Sequence, residues 1–473
     1  MFKLFANHKY EDEAGVTIRL FFPGAKIEYA RNSEKVKGMC FYSLLKEDSA
    51  YAEISHDGNV LSHFDWPFMN NQGFLTKPRM LMLALYHVLQ KVMPTNTPWG
   101  ALTGIRPTKL VREWLSFGLS DLEVLSTLQN PYCVTEEKAE LALKVAKTEN
   151  IVAEKIFHAS GCAIGFYINI PFCPSRCHYC SFNCMDKPPT IELQEMYVNA
   201  LVMEIKEKAK QINARCEVVS SIYIGGGTPT FLPDVLLEKV LYALEEVKSE
   251  NTYEFTVEGG RPDSVTSEKM RLLQKHGVTR FCVNPQTLSD KTLLTIGRKH
   301  SSGDFFSAFR IVRESGIKCV STDIIAGLPG ETLLDMEHTI NGIIKLAPEN
   351  ITVHNLAIKR ASTFKRGSNK IDLPSSKTTQ KMLKLAQEQV YQAGYKPYYL
   401  YRQKDMVGLS ENVGYCLDEY YCLYNVGMMS EVQTIVGAGA GAVSKYVDGS
   451  KITREFNVKN PEIYVKRQIP LTD

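Results

Sequence analysis

The middle of the chain repeats one pattern of apolar and polar positions from about residue 163 to residue 360. Short apolar runs alternate there with longer segments in which apolar residues recur every three or four positions, a pattern typical of strands separated by helices. Strands are predicted over 165–170, 221–224, 254–257, 280–284, 320–325 and 351–355, and helices near 191–215, 234–248 and 331–347. Strands that alternate with helices pair in parallel through right-handed crossovers. Six such units predict a partial (β/α)6 barrel, whose active groups collect at the C-terminal strand ends.

The first 160 residues predict a separate α+β region. Apolar residues at every second position over 16–22 predict a strand that ends at Pro23-Gly24. The Asp57-Gly58 pair follows a strand-like segment over 51–55 and predicts a hairpin. Helices are predicted over 78–92, 108–116 and 136–148.

The alternation of strands and helices stops after about residue 360. A helix is predicted near 376–393, followed by a tyrosine-rich segment over 395–401 and a glycine-rich strand and turn near 433–446. We therefore predict an α/β fold in three parts. They are an N-terminal α+β region (1–160), the barrel (161–360) and a C-terminal α+β extension (361–473).

Composition narrows the class of protein without identifying a ligand. The 473 residues are 44% hydrophobic and 23% charged, with a formal net charge of +3, which excludes a disordered chain and gives no electrostatic case for binding nucleic acid. No segment reaches the length of uncharged apolar sequence that a membrane span needs, so no span is predicted. The first residues lack the apolar stretch of a secretory signal, and we expect a cytoplasmic protein.

Five of the twelve cysteines lie close together: Cys162, Cys173, Cys177, Cys180 and Cys184. Three of them form a C-x3-C-x2-C pattern directly after the first barrel strand, and thiolates suit zinc or iron–sulfur clusters. A cubane cluster normally takes four cysteines, so three would leave one iron open for another ligand. The alternatives are a structural zinc site with His178 or Cys184 as fourth ligand, or cysteines with no shared role.

The segment that carries these cysteines, Tyr167-Ile-Asn-Ile-Pro-Phe-Cys173-Pro-Ser-Arg-Cys177-His-Tyr-Cys180, resembles the cluster loop of radical S-adenosylmethionine (SAM) enzymes. Its Tyr-x-x-Ile-Pro-Phe-Cys start is similar to the oxygen-independent coproporphyrinogen III oxidases, also called dehydrogenases, and within that group to the HemZ-type branch. The likeness covers roughly residues 163–360 and continues more loosely to about 445. It implies a 4Fe-4S cluster held by Cys173, Cys177 and Cys180, with SAM as the second cofactor.

A glycine-rich turn after the second barrel strand fits the same resemblance. The segment Gly225-Gly-Gly-Thr lets the backbone approach a ligand without interference from a Cβ atom. In the resembled family this turn holds the methionine part of SAM, which points to Gly226, Gly227 and Thr228. Taken alone, the glycines fit a generic tight turn equally well.

The resemblance implies further SAM contacts at Tyr167, Tyr179, Glu258, Gln286, Arg298, Asp323 and Ala357. Glu258 ends the third strand, where its carboxylate could accept hydrogen bonds from the cofactor, or simply be solvated. Asp323 interrupts an apolar run, and ribose hydroxyls would supply the partners that a buried carboxylate needs. A structural aspartate is the alternative there, and plain loop packing is the alternative for Tyr179.

The resemblance also implies a reaction. A reduced cluster cleaves SAM to a 5′-deoxyadenosyl radical, which removes a propionate β-hydrogen from coproporphyrinogen III. Loss of carbon dioxide and one electron leaves a vinyl group, and two rounds give protoporphyrinogen IX. The implied partners are this tetrapyrrole and a low-potential electron donor of the flavodoxin or ferredoxin type. An anionic substrate needs basic anchors, and the candidates are Arg106, Lys109, Arg261, Lys359 and Arg360, each of which could equally be a solvated surface charge.

Two departures from the family pattern leave the substrate open. The family has a further cysteine close after the third, whereas Ser181 follows Cys180 here, and Asn169 replaces the family histidine before Ile-Pro-Phe-Cys. The alternatives are a haem-binding or haem-delivery protein on the same fold, another radical reaction on a tetrapyrrole, and a structural zinc module.

Overall fold

Two β-sheets organise the chain in the computed structural model, which describes residues 2–30, 37–68, 75–158, 163–182, 185, 187–359, 362–366, 371–403, 406, 410–449 and 451–468. The strands are β1 (Phe2–Ala6), β2 (Ile27–Ala30), β3 (Met39–Leu45), β4 (Ser49–His56), β5 (Asn59–Pro67), β6 (Ala163–Ile170), β7 (Val218–Gly226), β8 (Glu254–Glu258), β9 (Arg280–Cys282), β10 (Cys319–Ala326), β11 (Asn350–Asn355), β12 (Lys396–Tyr401), β13 (Asn412–Cys416), β14 (Ile435–Ala438), β15 (Val443–Asp448) and β16 (Lys451–Phe456).

The α-helices are α1 (Glu11–Phe21), α2 (Lys77–Val92), α3 (Pro107–Ser116), α4 (Asp121–Gln129), α5 (Glu136–Val152), α6 (Ile191–Ala214), α7 (Asp234–Leu244), α8 (Ser267–Lys275), α9 (Asp290–Thr295), α10 (Ser302–Glu314), α11 (Leu333–Lys345), α12 (Thr363–Arg366), α13 (Ser376–Gln392), α14 (Leu423–Ser430) and α15 (Pro461–Gln468). Single turns of other helix types are Ala153–His158, Pro229–Phe231 and Pro262–Ser264. Within the described residues, no helix is both long and apolar enough to cross a membrane.

The unit Met1–Leu143 contains a five-stranded sheet in the order β2-β1-β3-β4-β5. The hairpin predicted at Asp57-Gly58 is confirmed, since β4 and β5 pair antiparallel on either side of it. The helices predicted over 78–92, 108–116 and 136–148 are also confirmed, as α2, α3 and α5.

The strand predicted over 16–22 is wrong, because residues 16–21 belong to helix α1 and Phe22 directly follows its end. Ala14, Ile18 and Phe21 are buried and recur at helical spacing, so the same short apolar run fits both periods. Three acidic residues in the first turn, Glu11–Glu13, favour the helix by interacting with its positive N-terminal end.

An eleven-stranded sheet forms the centre of the unit Lys144–Asp473, in the order β12-β13-β11-β10-β9-β8-β7-β6-β14-β15-β16. Strands β6 to β11 are parallel neighbours in chain order, which confirms the six predicted strands and the (β/α)6 arrangement. β13 and β12 continue one edge antiparallel, whereas β14 continues the other edge parallel to β6. The segments 161–360 and 361–473 therefore share one sheet.

Burial explains why the central elements form as they do. Seven of the eight residues of β6 and of β10 are buried, as expected for parallel strands covered by helices on the outside. On α11, Met336, Ile340 and Ile343 form the buried stripe, and Thr332 with Asp335 forms a capping box at its start. The apolar positions thus hold the barrel together, and the polar positions that alternate with them on the strands are left for the site.

Candidate active site

One cavity of about 350 Å³ lies at the C-terminal ends of the barrel strands and extends into the barrel. Twelve of the thirteen predicted site residues line it: Cys173, Cys177, Cys180, Tyr179, Gly226, Gly227, Thr228, Glu258, Gln286, Arg298, Asp323 and Ala357. Tyr167 is not among the lining residues. Its hydroxyl donates a hydrogen bond to Asn169 Oδ1 at 2.9 Å, and its ring stacks on Tyr424 at 5.7 Å between centroids.

The loop that carries the three cysteines is joined to the glycine-rich turn by short hydrogen bonds. The Gly227 amide donates to the Ile170 carbonyl at 2.8 Å, and the Thr228 amide donates to the Phe172 carbonyl at 2.7 Å. The Thr228 hydroxyl donates to Cys173 Sγ at 3.4 Å. The first cysteine is therefore held directly by the turn after β7.

The glycines of this turn are required by the closeness of the two segments. Gly226 has φ +110°, and a Cβ atom built on it would collide with Asn169 Oδ1. A Cβ atom on Gly227 would lie 2.5 Å from the carbonyl oxygen of Phe172. Any side chain here would push the cysteine loop away, so the turn is more specific than a generic tight turn.

Two arginines donate hydrogen bonds to residues that lie between the cysteines. Arg261 donates from Nη1 to Ser175 Oγ at 2.9 Å, between the first and second cysteines. Arg298 donates from Nη1 to Tyr179 Oη at 3.1 Å, between the second and third. Burial raises the pKa of the Cys177 thiol, and the positive charges of these two arginines oppose that shift.

The zinc alternative loses one of its two candidate ligands in this arrangement. His178 places Nδ1 3.0 Å from the Thr295 carbonyl and lines a different cavity from the cysteines. The other candidate, Cys184, lies outside the described residues, as does Cys162. Among the residues that the structure describes, no three His, Cys, Asp or Glu side chains, the three cysteines included, are arranged around a single metal ion.

Two carboxylates face the cavity, from strands β8 and β10. Tyr223 donates to Glu258 Oε1 at 2.5 Å, and burial raises the pKa of Glu258 to about 7 although this hydrogen bond opposes the shift. Asp323 accepts from Asn284 Nδ2 at 3.0 Å, and His354 Nε2 lies 3.6 Å from its Oδ2. Glu258 is thus a partly buried, hydrogen-bonded group rather than a solvated strand end.

The chain is similar to known proteins. The radical SAM superfamily model matches residues 167–343. The chain is 36% identical over 393 residues to the oxygen-independent coproporphyrinogen-III oxidase-like protein HemZ of Bacillus subtilis, which covers 82% of this chain and 78% of HemZ. The chain belongs to the radical SAM superfamily, in the HemZ-type branch.

Two other similar proteins are informative. The heme chaperone HemW of Bacillus subtilis is 32% identical over 293 residues, 60% of this chain and 74% of HemW. The solved structure of coproporphyrinogen III oxidase (HemN) from Escherichia coli matches with a TM-score of 0.54 at 22% identity, covering 68% of this chain and 71% of HemN. The likeness to HemN shows the shared fold.

The family binds a 4Fe-4S cluster and SAM, and these are the cofactors of this chain. The residues present fit both groups. Three thiols on one loop suit a cluster with one open iron. Gln286 Oε1 and Arg298 Nε are buried without a hydrogen-bond partner in the described part of the chain, and both residues line the cavity. A ligand with both donors and acceptors, such as SAM, would satisfy them.

Several lining residues of this radical SAM site were not found from the sequence: Tyr223, Asn284, Thr352, His354 and Tyr401. The sequence does contain a signal for some of them. Polar residues two positions apart in a buried strand share one face, as do Ser321 and Asp323 on β10 and Thr352 and His354 on β11. Asn284 and Tyr401 carry no such signal.

The structure places the predicted basic anchors in different surroundings. Arg261 lines the cavity but is 3% exposed and paired with Asp263 through Nε and Nη2, at 2.9 and 2.7 Å, so it is not a solvated charge. Lys359 lines the cavity and is half-buried. Arg360 lies outside the described residues, and Arg106 and Lys109 belong to the other unit.

Proposed function

We propose that this radical SAM protein converts propionate side chains of coproporphyrinogen III to vinyl groups without oxygen, releasing carbon dioxide and forming protoporphyrinogen IX. The proposal is carried by one observation: a single cavity brings together the cysteine loop, the proposed SAM contacts and the basic residue Lys359. The name of HemZ, a relative over 82% of this chain, supports the choice of substrate.

The roles of the chain's residues follow from their positions. When bound, the cluster and SAM supply a radical that can remove a hydrogen atom from the substrate. Arg298 and Gln286 orient SAM through their buried polar atoms, and Glu258 accepts hydrogen bonds from it. The electron that cleaves SAM comes from a low-potential donor of the flavodoxin or ferredoxin type. The electron that the substrate radical loses together with carbon dioxide passes to a one-electron acceptor.

Lys359 is the proposed anchor for a substrate propionate. Burial lowers the pKa of Lys359, and the nearby Cys180 thiol opposes that shift, so the ammonium group lies near the third cysteine. It forms no ion pair with the residues that the structure describes. A propionate bound there would form a charge-assisted hydrogen bond beside the cluster loop.

Product analysis under anaerobic conditions tests the proposal. Reconstituted protein with coproporphyrinogen III, SAM and a low-potential reductant is expected to yield the divinyl product, measured by mass spectrometry. The Cys177→Ala variant serves as the control without a complete cluster site. Cleavage of SAM without any vinyl product would reject the proposed substrate.

The proposed anchor has its own test. Lys359→Met is expected to raise KM for the tetrapyrrole by about 10-fold or more, the value of one hydrogen bond to a charged group. Lys239→Met, at an exposed position of α7, is the matched control. An unchanged KM in Lys359→Met would remove this residue from the substrate site.

A second candidate function is haem binding and delivery. Two observations favour it, namely Ser181 after Cys180 where the coproporphyrinogen oxidases have a further cysteine nearby, and the likeness to the heme chaperone HemW. Stoichiometric haem binding by a protein that converts no coproporphyrinogen would support this candidate over the first.

A further inference from the structure

Arg261 links three loops at the barrel rim although nearly all of its side chain is buried. It follows the end of β8 and precedes the helical turn Pro262–Ser264. Its guanidinium holds the Asp263 carboxylate at two atoms and Ser175 Oγ at a third, and 4% of its side chain is exposed. Such a forked, bidentate pair fixes the orientation of the guanidinium as well as its position.

The backbone of Arg261 is also anchored. Its carbonyl oxygen accepts a hydrogen bond from Ser264 Oγ at 2.9 Å, and Ser264 Oγ lies 2.6 Å from the Thr230 hydroxyl. Thr230 belongs to the helical turn that follows the glycine-rich turn after β7. Arg261 therefore connects this region to Ser175, which lies between Cys173 and Cys177.

We propose that Arg261 is a positioning residue for the iron–sulfur cluster, which holds the segment between Cys173 and Cys177 through Ser175 and raises the reduction potential of the cluster by its charge. This role concerns the cluster that the family binds, and it does not depend on the proposed tetrapyrrole. The residue acts through Ser175 and through space, and it is not itself a cluster ligand.

The electrostatic part follows from the charge of the cluster. Three thiolates make the bound cluster anionic, and one-electron reduction adds a further negative charge. A buried cation nearby stabilises the reduced state, because little water screens it. The Asp263 carboxylate reduces this effect by pairing with Arg261 on the side away from Ser175 Oγ, so the two residues have opposite influences on the potential.

Arg298 provides a useful contrast. Its guanidinium also reaches the cysteine loop, at Tyr179, but its other bonds go to the carbonyl oxygens of Gly260 and Asn284 and not to a carboxylate. It also lines the cavity where SAM is proposed to bind. Arg261 lines the same cavity, but its Nε, Nη1 and Nη2 atoms already bond to Asp263 or Ser175, whereas Arg298 Nε has no hydrogen-bond partner among the described residues. A variant of Arg298 would therefore disturb SAM binding more directly than a variant of Arg261.

The experiment compares reconstituted full-length variants without any tetrapyrrole. Loss of iron to a chelator measures how firmly the cluster is held, and an anaerobic redox titration followed by EPR gives its midpoint potential. The variants are Arg261→Gln, Arg261→Lys, Asp263→Asn and Ser175→Ala. Arg271→Gln is the matched control, because Arg271 is an exposed arginine that bonds only to the exposed Glu268 among the described residues.

Each variant has a distinct expected result. Arg261→Gln is expected to lose iron about 10-fold faster, as is typical when the outer partner of a metal ligand is removed, and to shift the potential to a more negative value. Ser175→Ala keeps the charge, so faster loss of iron with an unchanged potential is expected. Asp263→Asn is expected to shift the potential to a less negative value. Arg261→Lys keeps the positive charge but loses the two-atom hydrogen bonding to Asp263. Its potential should therefore be closer to that of the unmodified protein than the potential of Arg261→Gln is.

Two results would overturn the proposal. Iron loss that is unchanged in both Arg261→Gln and Ser175→Ala would remove the positioning role. Potentials that do not change, or that move in the same direction in Arg261→Gln and Asp263→Asn, would remove the electrostatic role. If Arg261→Gln fails to fold, Ser175→Ala and Arg261→Lys decide the positioning role, and Asp263→Asn decides the electrostatic role.

Discussion

The substitution Gly227→Ala tests how closely the glycine-rich turn must approach the cysteine loop. The new methyl group would lie 2.5 Å from the Phe172 carbonyl oxygen, about 0.9 Å short of the 3.4 Å at which ordinary contacts begin. Phe172 cannot yield easily, since its side chain is fully buried and packs edge-on against Tyr197 at 4.9 Å. The loop that carries Cys173 must therefore move by several tenths of an ångström.

The expected cost has two parts. Overpacking of this kind lowers the free energy of unfolding by about 1–3 kcal/mol. A displacement approaching 1 Å at an active site lowers the rate by up to about 100-fold, so SAM cleavage should fall steeply. Denaturant unfolding measures the first effect, and release of 5′-deoxyadenosine measures the second.

A second glycine provides the matched control. In Gly303→Ala the nearest atom to the new methyl group is Ser301 Oγ at 3.6 Å, and the position is an exposed one on α10. We expect unchanged SAM cleavage and a stability equal to that of the unmodified protein or about 0.5–1 kcal/mol higher. The reasoning is refuted if Gly227→Ala cleaves SAM at the normal rate and unfolds like Gly303→Ala.

Three further predictions concern other parts of the same unit. Cys177→Ala should abolish the bound iron and sulfide, whereas Cys216→Ala, at an exposed cysteine, should retain both. Arg280→Met should destabilise the fold by about 3–5 kcal/mol in denaturant unfolding, because it leaves the buried Glu254 carboxylate without its ion pair at 3.4 Å; a loss below 1 kcal/mol would contradict this. The pKa of Glu258, about 7 when folded, exceeds its usual 4.5, so its contribution to stability is present below pH 4.5 and is lost as the pH rises to 7. The free energy of unfolding of Glu258→Gln, measured without cofactors, should therefore rise by up to about 3 kcal/mol relative to that of the unmodified chain between pH 4.5 and pH 7. The raised pKa of Glu258 would be refuted if the two proteins show the same dependence of stability on pH.

The barrel and the cysteine motif could be predicted because they depend on local patterns. Each parallel strand is a short buried run followed by a helix, and both features can be recognised within about thirty residues. The edges of the sheet could not be predicted in this way. Pairing of β14 with β6 joins residues more than 250 positions apart, and no local pattern specifies which edge a late strand will take.

Individual side chains also divide into those that local sequence predicts and those that depend on distant parts of the chain. Glu258 and Asp323 could be singled out as carboxylates at strand ends, but their partners Tyr223 and Asn284 come from other strands and loops. Arg261 illustrates the limit most clearly. Its sequence context is equally compatible with a surface charge or a substrate anchor, and only the three-dimensional structure shows that it is buried and bonded to Asp263 and Ser175.

The most direct test of the account is the EPR spectrum of the reduced, anaerobically reconstituted protein with and without SAM. Three cysteines that leave one iron open predict a 4Fe-4S signal whose g values change when SAM is added, since SAM then occupies the open iron. A spectrum that SAM does not alter, or zinc in place of iron and sulfide, would contradict the central claim.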